Sequence, residues 1–301
     1  MHFPAYLLIP AAAAVIYTVS SLLFKRAYAE GAGTLTAFHW ANFIGMPVAA
    51  PLFFINAGSL PPAEWWRPAL VAGTIYLGSL GTFSAIRRGD VSMVTPILGT
   101  KVLFVAALAF VFSNQELSTG LWGAAVLATA GIFVIGRADL KPGSANGPAI
   151  LLCLGSSLLF AITDLLIGKW AHLFGGTAFL AAIPQFIGLY SLVAGFCTKA
   201  PVLRLDPQCR PWIVWGGILL AMQLMALGLV LAFFNDPTGV NILYSTRGLW
   251  SIVFVWAFGS WFANHERQRA GRRTMLWRLA GTILITAGVV IAVLERAQIP
   301  M

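Results

Sequence analysis

Lys101 and Arg247 are cations set deep inside apolar stretches of this 301-residue chain. The segments leading to them match: Asp90, Ser92, Val94, Ile97, Thr100 and Lys101 align at a constant offset of 146 with Asp236, Thr238, Val240, Leu243, Thr246 and Arg247. In each copy an acid opens the apolar run and the cation follows 11 residues later. As helix, such a segment rises about 16 Å, half the depth of a hydrocarbon core about 30 Å thick. A charge held there costs a few kcal/mol or more, so its default meaning is a pathway or a binding site. Arginine offers a bidentate fork to carboxylate or phosphate and lysine a point charge, and together they suit an anionic group.

Two bland readings compete. Snorkelling to the surface needs a reach of some 15 Å, against roughly 6–7 Å for a Lys or Arg side chain. Ion pairing is the stronger competitor. Asp164 is the acid clearly inside an apolar run, and it can serve one cation but not both. Asp164 itself has two readings, a hydrated counter-ion near Lys169 or a proton-coupling group. Asn42, Gln185, Gln223, His39 and Trp40 are polar or aromatic candidates for substrate contact. Helix–helix hydrogen bonding, worth about 0.6–2 kcal/mol in membranes, is the alternative for each. Among Tyr17, Tyr76, Tyr190 and Tyr244, the last is favoured because nearly one turn places it on the face of Arg247. Asp90 and Asp236, with Ser92 and Thr238 beside them, are expected to cap the helices that follow. Glu116 and Glu266 recur in loops, where a structural or gating contact is expected.

The elements that must position these residues are membrane spans. The chain is 59% hydrophobic and only 10% charged, against about 25% charged for a soluble domain. Ten apolar runs are long enough to cross a bilayer, at about 4–24, 33–57, 67–86, 91–113, 118–136, 148–168, 174–198, 211–234, 238–262 and 275–294. The first lacks a basic leader and a cleavage site, so a retained span is expected. The net charge of +9 sits in short loops and argues for no nucleic-acid partner. Cys153, Cys197 and Cys209 have no metal or disulfide spacing. No H-E-x-x-H, G-x-S-x-G or paired intramembrane acids support an enzyme.

The fold class expected is all-α and integral to the membrane, with ten transmembrane helices as two inverted five-helix repeats, residues 1–140 and 148–301. At an offset of 143, Gly33 and Thr34 match Gly176 and Thr177, Phe43 and Gly45 match Phe186 and Gly188, and Asn42 falls on Gln185. The offset grows to 146 at the cation motif, to 150 at Glu116 against Glu266, and to 157 at Gly131 against Gly288. Growing offsets are what loop insertions in a duplicated unit produce. An odd number of spans per unit inverts the second unit, an architecture of secondary transporters whose site lies near the midplane.

With that repeat, the glutamate after the fourth span of each half (Leu108–Glu116 and Val255–Glu266) and the closing helices Gly123–Gly136 and Gly281–Val293, the chain resembles the drug/metabolite transporter superfamily. The likeness is to its EamA-type carriers of ten helices. It implies transport of a small-molecule substrate by alternating access in a bacterial inner membrane, with no cofactor, no metal and no ATP. Many members are apolar where this chain has Lys101 and Arg247. In that respect it is similar to the sugar-phosphate and nucleotide-sugar branches, whose fourth and ninth helices carry cations that hold an anionic substrate. The reading is a carrier of an anionic metabolite held by Lys101 and Arg247. Its cavity is walled by spans three, four, eight and nine, with contributions from one, two, six and seven. The alternative is an exporter of amino acids or amphiphilic drugs, with an aromatic-lined site and structurally paired cations; a scaffold or intramembrane enzyme finds no support. Lys and Arg number fourteen on the odd-loop side against three on the other. That bias places both termini outside, whereas the resemblance implies termini inside.

Overall fold

Apolar sequence punctuated by proline and glycine folds here into helices of uneven length. The computed structural model describes residues 5–55, 58–101, 103–105, 107–108, 119–139, 146–174, 177–198, 205–234, 240, 243–262 and 266–297. These contain ten α-helices: α1 Leu8–Ala29, α2 Thr34–Ala49, α3 Trp66–Arg88, α4 Val91–Leu98, α5 Thr119–Asp139, α6 Asn146–Trp170, α7 Ala178–Thr198, α8 Arg210–Phe234, α9 Arg247–Phe258 and α10 Glu266–Ala297. Among the described residues, five helical stretches are long and apolar enough to cross a bilayer: Leu8–Ala29, Pro62–Arg88, Gly147–Phe174, Ala178–Cys197 and Arg210–Phe234.

α5 is continuous over its expected span, whereas others are interrupted for local reasons. The second span tightens into a 3-10 turn at Ala50–Phe53, where Pro51 offers no amide to continue an α-helix. The fourth is interrupted by a turn at Gly99–Thr100 and the ninth by one at Thr246, with helix described on both sides of each. Within α10, Gly271 has φ +76°, a left-handed conformation that glycine adopts freely, and it bends the helix ahead of the apolar segment. Glu116, Asp236 and Thr238 lie outside the described residues, and Glu266 opens α10.

The packing follows an exchange of halves. α1 lies on α8 as α3 lies on α6, and α2 meets α8 as α3 meets α7. α2 with α7, α4 with α9, and α5 with α10 are contacts between matching elements. The α5–α10 seam is the closest: a Cβ on Gly131 would lie 2.6 Å from the Gly281 carbonyl oxygen, and one on Gly281 would lie 2.7 Å from that of Gly131. Small residues let two backbones approach in lipid, where association rests on van der Waals packing rather than on a hydrophobic force.

Two polar devices tie the helix ends. Lys25 Nζ donates to the carbonyls of Ile86 (2.9 Å) and Gly89 (2.6 Å) at the end of α3, and Arg87 donates to those of Tyr28 (3.2 Å) and Ala32 (3.3 Å) beyond α1. Cations suit these carbonyl-rich ends. The second device corrects the capping expected of Asp90. Its backbone takes the N-cap conformation, but its side chain makes no cap bond. Instead the carboxylate pairs with Arg278 at 2.6 Å, and Arg278 Nη1 donates to Ser92 Oγ at 2.6 Å. Arg278, counted above among the charges of the odd loops, is 1% exposed. A guanidinium so buried has a stronger claim on the carboxylate than the amides of the first helical turn.

Gly131→Val places new atoms against the Gly281 backbone and is expected to cost about 1–3 kcal/mol. Gly155→Ala, with open space around it, should be neutral, and melting curves of the purified protein in detergent compare the two. Asp90→Asn leaves Arg278 charged and buried, and should lower stability by about 3 kcal/mol in the same assay.

Candidate functional site

Both cations follow a helix break of the same construction. The amide of Thr100 donates to the Ile97 carbonyl at 3.0 Å and its hydroxyl to the same oxygen at 2.7 Å. The amide and hydroxyl of Thr246 do the same to Leu243, at 3.2 and 2.6 Å. Bonds to the third residue back tighten the chain into a 3-10 turn, and the threonine hydroxyl reinforces it. Lys101 and Arg247 are the next residues. The breaks meet, since a Cβ on Gly248 would lie 3.1 Å from Pro96 Cα.

The Leu98 carbonyl at the end of α4 accepts Arg247 Nη2 at 2.9 Å and Ser157 Oγ at 3.3 Å. Arg247, 4% exposed, is further held between two rings. Its Cζ lies 4.9 Å from the Tyr17 centroid and 4.4 Å from that of Tyr244, and these rings meet edge to face. Desolvated cation–π contacts are worth about 2 kcal/mol each. Arg247 Nε has no hydrogen-bond partner, and among the described residues no carboxylate pairs with Arg247. Lys101 is different. Its Nζ pairs with Asp164 of α6 at 2.7 Å and stands 6.0 Å from the Tyr244 centroid.

These groups face a cavity of about 130 Å³ lined by α1, α3, α6, α7 and α8 together with Lys101, Tyr244 and Arg247. Tyr17, Asp164 and Gln223 share the lining, and Gln223 presents a buried Oε1 without a partner. Much of the remaining wall is apolar, including Phe160, Ile183, Leu220 and Leu231. Of the residues singled out in the sequence, Lys101, Arg247, Tyr244, Gln223 and Asp164 therefore come together.

The other four do not reach the cavity lining. Asn42 donates to Ser191 Oγ at 2.8 Å, and Gln185 to the Met46 carbonyl at 2.9 Å, so both serve the α2–α7 seam. His39 packs among Phe38 and Tyr76, and Trp40 lies edge-on to Phe43. The expected wall changes accordingly: α2 contributes nothing to the lining, while α6 and α7 supply whole faces. Tyr17 is the residue the sequence left undistinguished. The signal for it lies outside its own segment, in the arginine it covers.

Residues 4–137, the first five-helix half, match the model of the EamA-like transporter family. Over those residues the chain is similar to the EamA-like transporter family. Twenty-nine chains of solved structures match it. One of them, a crystal structure described only as that of a protein, has a TM-score of 0.63 at 15% identity and covers 98% of this chain and 99% of its own. At that identity the likeness speaks for the fold alone. No curated protein matches the chain. With apolar helical stretches long enough to cross a bilayer and a first half similar to these transporters, the chain is an integral membrane protein.

Because the Tyr17 hydroxyl is buried without a partner, Tyr17→Phe should leave the melting temperature of the protein unchanged or raise it. Tyr17→Leu removes the ring under Arg247 and should destabilise by about 1–2 kcal/mol, measured in the same unfolding assay.

Proposed function

We propose that this protein is an EamA-like transporter that moves a small metabolite bearing an anionic group by alternating access, with Arg247 and Lys101 drawing that group into the cavity. The observation that carries the reading is Arg247: a buried guanidinium with an open Nε and, among the described residues, no carboxylate, facing a cavity. An anion about 4 Å away gains about 4 kcal/mol at an effective dielectric constant of 20, enough to drive entry into an otherwise apolar site. Lys101 supplies a second donor beside Tyr244, tethered by Asp164. The two half-sites come from matching segments of the repeat, so rocking of the halves about them exposes the same cations to either side. Exchange fits this site, because a fixed buried cation reorients more cheaply with a counter-anion bound.

A second reading has its own support. The Lys101–Asp164 pair and the apolar wall are what an exporter of amphiphilic molecules with structurally paired cations would present.

A thermal-shift screen of purified protein against anionic and neutral metabolites of matched size separates the two, since a ligand stabilises the state it binds. Anions should raise the melting temperature of the wild type, and Arg247→Ala should melt cooperatively yet lose that shift, together with uptake into proteoliposomes. Lys101→Ala should also lose uptake. Normal uptake by both variants would rule the anion mechanism out, and stabilisation by neutral amphiphiles alone would favour the second reading.

A further inference from the structure

We infer that Asp164 sets the charge of the anion this carrier accepts at minus one; the inference rests on the anion reading above. Three charged side chains line the cavity among the described residues: Lys101, Arg247 and Asp164. Asp164 holds Lys101 at 2.7 Å, and each side chain of that pair is 12% exposed. Arg247 has a backbone carbonyl and two tyrosine faces, which are dipolar and quadrupolar partners and leave its full charge in place. The site therefore carries a net charge of plus one.

A buried site binds best the ligand that neutralises it, since uncompensated charge in a low dielectric is expensive in either sign. A monoanion at Arg247 completes the count and leaves the Lys101–Asp164 pair intact. A dianion brings one negative charge too many. It must either pull Lys101 away from Asp164, stranding that carboxylate, or wait for a proton to arrive on Asp164. The lysine comes from the first half and the carboxylate from the second, so this neutralisation is made across the interface that the transport cycle must rearrange. Gln223 adds an acceptor and the apolar wall a place for a hydrocarbon body. The ligand class is thus a singly charged amphipathic anion carrying a donor group, and Asp164 is its specificity-determining residue.

The test uses two tetrahedral anions with one apolar body, butanesulfonate with one charge and butylphosphonate with two. Binding to the full-length protein in detergent is measured by calorimetry, above the second ionisation of the phosphonate. Wild type should prefer the sulfonate by about tenfold. Asp164→Asn frees Lys101 and should reverse the order. Two double variants read the same count should that single variant fail to fold. Asp164→Asn with Lys101→Gln keeps a net charge of plus one and should still prefer the sulfonate. Arg247→Gln alone should lose sulfonate binding, and adding Asp164→Asn should restore it by handing the site to Lys101. An unchanged preference in Asp164→Asn, a phosphonate preference in the Lys101→Gln double, or no rescue of Arg247→Gln would overturn the inference. If neither probe binds wild type, or if both survive Arg247→Gln undiminished, the anion reading itself falls instead.

Discussion

A charged guanidinium in the middle of a membrane protein needs polar company, and this chain makes it by breaking a helix. Thr100 tightens the chain just past Leu98, and the Leu98 carbonyl meets Arg247 from the other half. The second break, at Thr246, aims the arginine. Position of the site, closeness of α4 to α9 and the orientation of Tyr17 and Tyr244 all meet at this one charge-assisted bond. Irregular backbone at membrane depth is tolerated where protein or a cavity, rather than lipid, lies against it.

The two cations are repeat mates, yet their environments differ. Lys101 is neutralised by a carboxylate; Arg247 is cushioned by aromatic faces. The two cations hold matching positions, and residues of α6 and α1 make the distinction. One cation can then fasten the halves together while the other stays electrostatically open. Arg278 and Asp90 make a third solution to the same problem, a compact ion pair with Ser92 that anchors the start of α4 to α10.

Much of this was legible in the chain itself. The number of spans, the pairing of Lys101 with Arg247, the capacity of Asp164 for one cation and the placement of Tyr244 follow from hydropathy, offset and helical periodicity. The breaks before Lys101 and Arg247 were not read, although Thr100 and Thr246 stand at matching positions; a threonine in an apolar run ordinarily bonds back without ending the helix. Asn42 and Gln185 drew notice as polar mates, but whether such a group faces a neighbour or a cavity depends on which helices pack, which one segment does not encode. Asp90 misled for a similar reason. Its partner Arg278 is 188 residues away, and a local capping rule sees only the next turn.

The latch between α1 and α3 bears on the balance of the working cycle. Lys25 and Arg87 join the ends of those helices through four carbonyls. By the repeat offsets their counterparts are Gly168 and Phe233, neither of which can donate a side-chain hydrogen bond. Two inverted halves of identical sequence would make the inward-open and outward-open forms mirror states of equal free energy. One half is thus stapled by cations at an end where its twin has Gly168 and Phe233 instead, so the two halves are not held equally at their ends.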